Sequence, residues 1–99
     1  MENLFAYGTL ILPDIQQKLF GRILKGNKDI LLDFKKTIIS IEDEVFPCVD
    51  RFPGNNIKGV IFKISDKELS ITDEYEGGEY IRIKALLQSG NEAWVYIRA

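Results

Sequence analysis

Apolar and polar positions change rhythm several times along the chain, and each change marks an element. Residues 2–6, "ENLFA", form a short apolar run that reads as a buried strand. Pro13 suits the first turn of a helix that carries Ile15, Leu19 and Phe20 inward, and Gly21 can stop it. From Ile30 to Ile41, isoleucine, leucine and phenylalanine alternate with charges. The β-branched residues at 37–39 favour one or two strands, with helix still open for 30–36. "FPCVDRFPGNN" holds two prolines and a Gly-Asn-Asn turn, so residues 46–56 are expected to be mostly irregular. "IKGVIFKI" resumes a strand in which Gly59 marks a bulge or a close backbone approach.

The rhythm then turns helical. Ser65 and Glu68 form a capping box, Leu69, Thr72 and Tyr75 recur at helical spacing, and Gly77 and Gly78 supply left-handed conformations to end a helix over 66–76. Beyond them Ile81, Ile83, Ala85 and Leu87 alternate, "SGN" turns, and Ala93, Val95 and Ile97 alternate again, which predicts a C-terminal β-hairpin. Strand, helix, strands, helix, hairpin is the order of an α+β domain built round a curved sheet, with too few helices to cover both faces of a doubly wound one.

Composition narrows the picture. Ninety-nine residues, 45% hydrophobic and 28% charged, suit one domain over residues 1–99, because two separate cores would each bury too little surface to outweigh chain entropy. Thirteen basic against fifteen acidic residues, without a basic cluster, argue against a nucleic-acid partner. No apolar stretch approaches the length needed to cross a bilayer, and no leader pattern opens the chain, so a cytoplasmic protein without membrane contact is expected. There is no histidine, and the one cysteine, Cys48, reads as a small buried hydrophobe, so neither a metal site nor a cysteine–histidine nucleophile is expected. "YGTL" and "EGGEY" match no phosphate-binding glycine loop, which leaves no cofactor implied.

Carboxylates remain. Asp73, Glu74, Glu76 and Glu79 cluster around the end of the second helix, where a solvated face is the plain reading. Glu76 differs, because the negative end of the helix dipole and any burial both raise a carboxylate's pKa there and poise it as a general base. Tyr7, Tyr75, Tyr80 and Tyr96 offer phenols, and Arg82 and Arg98 offer charge for a substrate carboxylate, although on alternating strands both arginines are expected to point at solvent.

"FAYGTL" at 5–10, "FPCV" at 46–49, "IKGVIFKIS" at 57–65 and "TDEYEGGEYIRI" at 72–83 together resemble the γ-glutamylcyclotransferase-like, or AIG2-like, family. The resemblance implies a small mixed β-barrel flanked by short helices, with a pocket at one end. It implies that Tyr7, Gly8, Thr9 and Leu10 line the pocket with backbone groups, that Glu76 is the catalytic acid/base, and that Tyr80 and Tyr96 face the same cavity. The implied reaction closes a γ-glutamyl amide or γ-glutamylamine to 5-oxoproline and releases the amine, an acyl transfer needing no metal or cofactor. The small-molecule γ-glutamyl substrate is the partner so implied.

Two departures from the family pattern stand out. Thr72-Asp73 replaces the usual Leu-Asp, on what reads as the packing side of the helix, and Ile-Leu-Pro follows "YGTL" where many members carry a basic residue with glycine. The pocket mouth, expected within 46–56 or 21–30, is therefore left open, and with it the leaving amine. Two other functions compete: a non-catalytic module of the same fold that binds a small amino-acid-like ligand, and an acidic interaction surface without pocket chemistry. The sequence does not specify an oligomeric state.

Overall fold

The computed structural model describes the backbone of residues 1–99 and the side chains of all but Ile39, Ile41, Phe46, Pro47 and Cys48; the expectation for the Cys48 side chain lies outside the described residues. Strand β1 (Glu2–Ala6) leads into a 3₁₀ turn (Thr9–Ile11) and helix α1 (Pro13–Phe20). A long hairpin, β2 (Gly26–Ile41) and β3 (Glu44–Ile64), precedes helix α2 (Asp66–Glu76) and a second hairpin, β4 (Tyr80–Leu86) and β5 (Glu92–Arg98).

The five strands form one mixed sheet in the order β2-β3-β1-β5-β4. β1 is central, antiparallel to β3 with Leu4 opposite Phe62, and parallel to β5 through Leu4 and Trp94. A strand covered on both faces must be apolar throughout, and Leu4, Phe5 and Ala6 are all buried. Phe5 points into a cluster with Leu31, Val49, Leu87 and Val95 on one side of the sheet. Leu4 and Ala6 point the other way, to Leu24, Ile64, Leu69 and Tyr96.

The sheet curls until its edges nearly meet. Leu31 bridges Leu87, Gln88 N–H donates to Ile30 O at 2.8 Å, and the Ser89 hydroxyl donates to Asp29 at 2.6 Å. Among the described residues β2 and β4 show no pairing beyond that isolated bridge, so the barrel-like curl stays open.

Both helices follow their local signals. Pro13 occupies the first turn of α1, and Gly21, at φ 70°, caps its end. Gln16, 2% exposed, lies on the inward face of α1, where its amide donates to Leu10 O and accepts from Leu24 N–H, each at 2.8 Å. A polar side chain thus joins the segments on either side of the helix. Ser65 and Glu68 complete the capping box of α2, and Arg22 grips Glu68 through Nε and Nη2 at 2.8 and 2.7 Å. Gly77 takes the positive φ of 80° that ends α2, whereas Gly78 does not, so one glycine suffices.

Residues 46–56 depart from expectation, and so does the option of a helix over 30–36: both belong to the β2–β3 hairpin. Within β3, β1 pairs with Val60–Ile64, so among the described residues no strand lies on the outer edge of the preceding part of β3, and an open edge tolerates prolines. The irregularity is confined to a bulge. Asp33, at φ 64°, sits where pairing jumps from Leu32–Asn56 to Phe34–Arg51, and its carboxylate accepts from Gly54 N–H at 3.0 Å. Gly59 is a close-approach position, because a Cβ there would collide with the Ala6 carbonyl and the Phe5 ring. At the far end of the hairpin Glu42 and Asp43, at φ 48° and 65°, make a two-residue turn.

Candidate active site

The chain leaves β1 at Ala6 and turns sharply. Ile11 N–H donates to Gly8 O at 3.2 Å and Leu12 N–H to Thr9 O at 3.0 Å, which leaves the amides of Thr9 and Leu10 outside the ladder of the 3₁₀ turn. Two side chains fasten this loop. The Tyr7 hydroxyl donates to Tyr96 O at 2.7 Å, tying the loop to β5, and the Thr9 and Tyr75 hydroxyls meet at 2.7 Å, tying it to α2.

Against this loop lies a cavity of about 590 Å³, within the range of small-molecule sites. Tyr7, Gly8, Thr9, Leu10, Glu76, Tyr80 and Tyr96 all line it. The structure thus brings together the seven residues that the family resemblance assigns to the site. Arg82 and Arg98 are not among the lining residues. Arg82 donates to Asp73 at 2.8 Å and stacks over Trp94 at 4.3 Å, so it is committed to the protein rather than pointed at solvent.

Glu76 ends α2 and faces the cavity. Burial pushes its carboxyl up to about 7. Near neutral pH this group passes between acid and base, as general acid–base chemistry requires. Tyr96, 4% exposed, donates its hydroxyl proton to Asp73 Oδ1 at 2.6 Å. Burial, then that hydrogen bond, raises the phenol above its ordinary value and keeps it neutral. Asp73 itself is partly buried, which favours its neutral form, but the bonds from Arg82 and Tyr96 outweigh this and hold it below the usual carboxylate range.

Sequence reasoning placed Asp73 on a solvated face. It is a shared acceptor instead, and the available signal was its spacing, one turn before Glu76 on the same helix. Thr72, in the family's leucine position, is buried, and its hydroxyl donates to Glu68 O at 2.9 Å within the helix. Glu42 and Glu44, from the β2–β3 turn, also line the cavity, as do Tyr75 and Glu79. No local signal exposes the first pair, because only the reach of the hairpin brings them there. The described lining includes that turn and none of residues 21–30 or 49–56; the side chains of 46–48, also within the segments expected to form the mouth, lie outside the described residues. Among the described residues no group of three or more histidine, cysteine, aspartate or glutamate side chains is placed to hold a metal ion.

An open, curled α+β sheet with two helices, and a cavity lined by both a glutamate and a glycine-containing loop, define the fold and site of this chain. Residues 4–99 match the family model described as gamma-glutamyl cyclotransferase, AIG2-like, and the chain belongs to that family. It is 33% identical over 95 residues to AIG2-like protein D of Arabidopsis thaliana, covering 93% of this chain and 61% of that protein. A solved gamma-glutamyl cyclotransferase shares the fold with a TM-score of 0.78 at 23% identity, over 99% of this chain and 66% of that one. An uncharacterised protein of Homo sapiens does so with a TM-score of 0.83 at 23% identity, again over 99% and 66%. The chain thus spans about 61% of the length of the Arabidopsis relative. Among the described residues no helix is long and apolar enough to cross a membrane.

Proposed function

We propose that this chain, as a single γ-glutamylcyclotransferase-like domain, converts a γ-glutamyl amide or γ-glutamylamine to 5-oxoproline and free amine, with Glu76 as general acid/base. The observation that carries the proposal is Glu76, raised to about 7 by burial and lining the same cavity as the Tyr7–Leu10 loop. The fold of a solved gamma-glutamyl cyclotransferase supports it.

The chemistry asks little of the protein. The substrate's own α-amine lies within reach of its γ-carbonyl, so holding one conformer replaces a bimolecular encounter. The amine is mostly protonated at neutral pH, and the ionised Glu76 takes one proton from it. The freed lone pair forms the new C–N bond while the carbonyl electrons move to oxygen. As they return, the old C–N bond breaks and the leaving nitrogen receives the proton held by Glu76. The ring nitrogen sheds its second ammonium proton to the again-ionised Glu76, which passes it to the departing amine, so that a neutral 5-oxoproline amide nitrogen and an ammonium product result. The amides of Thr9 and Leu10, outside the turn's ladder, are suited to a carboxylate or to the developing oxyanion. Gly8 keeps that wall bare, since a Cβ built there would meet no atom within 4 Å.

Release of 5-oxoproline from a panel of γ-glutamyl amides tests the proposal. Wild type is expected to form product with at least one member, and Glu76→Gln to lose roughly 100-fold or more in kcat. Equal rates in the two proteins would remove Glu76 from the reaction. Binding of the panel without turnover would instead favour a ligand-binding module.

A further inference from the structure

Two of the phenols lining the cavity share a constraint: each already has an acceptor for its proton inside the protein. Tyr7 donates to the Tyr96 carbonyl at 2.7 Å and Tyr96 to Asp73 Oδ1 at 2.6 Å. A hydroxyl whose one proton is committed offers a ligand only lone pairs. Asp73 enforces this direction. An ionised carboxylate has no proton to give, and Arg82 Nε, 2.8 Å from the same oxygen, stabilises its charge.

Position matters as much as direction. Tyr96 lines the cavity from β5, Glu76 lines it from α2, and the two are close enough for the Glu76 charge to act on the phenol. The Tyr7–Leu10 loop lines the same cavity and offers backbone N–H groups. The lining therefore holds hydrogen-bond acceptors at Tyr96 and Glu76 and donors along the loop. A ligand bearing both an ammonium and a carboxylate satisfies both sets when its ammonium meets the acceptors and its carboxylate the donors.

We propose that Tyr96 binds the substrate's α-ammonium through its phenolic oxygen beside Glu76, and that Asp73 is the positioning residue that makes Tyr96 an acceptor. Resting on the reading of this cavity as a γ-glutamyl site, the proposal fixes how such a substrate lies: ammonium towards Tyr96 and Glu76, carboxylate towards residues 8–10. In that orientation the amine sits beside the base that must deprotonate it. Asp73 touches no substrate atom and acts through Tyr96 alone.

The test uses two probes, γ-glutamyl methylamide and glutarate monomethylamide, which differ only by the α-amine. Both are titrated calorimetrically into the Glu76→Gln protein, where the proposed reaction is blocked, with and without Tyr96→Phe. Tyr96→Phe is expected to weaken the amine-bearing probe roughly tenfold or more while changing the amine-free probe by less than about twofold. Asp73→Asn, which no longer requires the phenol to donate, is expected to produce the same selective loss. Equal losses for both probes, or none, would overturn the role of Tyr96, as would failure of both probes to bind the parent protein. An unchanged affinity in Asp73→Asn beside a selective loss in Tyr96→Phe would overturn the positioning role. Accumulation of 5-oxoproline in the Glu76→Gln protein would contradict the proposed function, while the affinity comparison would still decide this proposal.

Discussion

Glu76 holds its proton more tightly in the folded chain than in the unfolded one, and that links chemistry to stability. Below about pH 4.5 the carboxyl is protonated in both states and the fold incurs no penalty from it. As pH rises towards 7 the unfolded chain ionises first, and stability falls until the folded group ionises as well. The full penalty, up to about 3 kcal/mol, is present above that point. Glu76→Gln should therefore be the more stable protein at pH 8 and match wild type at pH 4, by urea denaturation at the two values. An unchanged difference across that range would mean that burial does not hold the carboxyl up. Gly8→Ala should leave stability within about 0.5 kcal/mol, because the added methyl meets no protein atom, while weakening ligand binding by intruding on the cavity. Normal affinity for γ-glutamyl methylamide in that variant would count against a ligand lying on the loop. At this scale the sequence was informative about residues whose meaning is local. Glu76 ends a helix and Gly8 sits in a short motif, whereas Asp73 has its role through Arg82 and Tyr96, which lie 9 and 23 residues away along the chain.

At the level of elements, boundaries set by caps were legible and those set by pairing were not. The Ser65–Glu68 box, Pro13 and Gly21 each act within a turn of their own position, and both helices fall where those signals put them. The β2–β3 hairpin is different, because whether proline breaks a strand depends on which edge is paired, and that is decided by β1. Gly59 is the tightest point of this arrangement. Gly59→Ala should cost about 1–3 kcal/mol by forcing the Ala6 carbonyl and the Phe5 ring apart, measured as a lowered midpoint in thermal denaturation. A midpoint equal to wild type would show that β1 and β3 can separate there without cost. The hairpin tip carries a functional expectation as well. Glu42 and Glu44 add carboxylates to a cavity that already holds Glu76 and Glu79. Leaving amines with a positive charge should therefore show higher kcat/KM than neutral ones of similar size. A Glu42→Gln, Glu44→Gln double variant should narrow that preference, and raised salt should do the same.

Over the whole molecule, the order of elements was enough to give an α+β curl, and the motifs at residues 5–10 and 72–83 were enough to give the family. The sequence did not reveal how far the sheet would close. That depends on contacts between residues some sixty positions apart, Asp29 with Ser89 and Leu31 with Leu87. The same curl brings the end of β1, the end of α2, β5 and the turn between β2 and β3 to one cavity. The central claim is that Glu76 there moves the proton of a ring-closing amine. Its most direct test is the rate of 5-oxoproline release from a γ-glutamyl amide, followed from pH 5 to pH 9 in wild type and Glu76→Gln. The account predicts a wild-type kcat that rises through an apparent pKa of about 7 and a variant that is slow at every pH. The same rise in both proteins, or no product from wild type across the range, would contradict it.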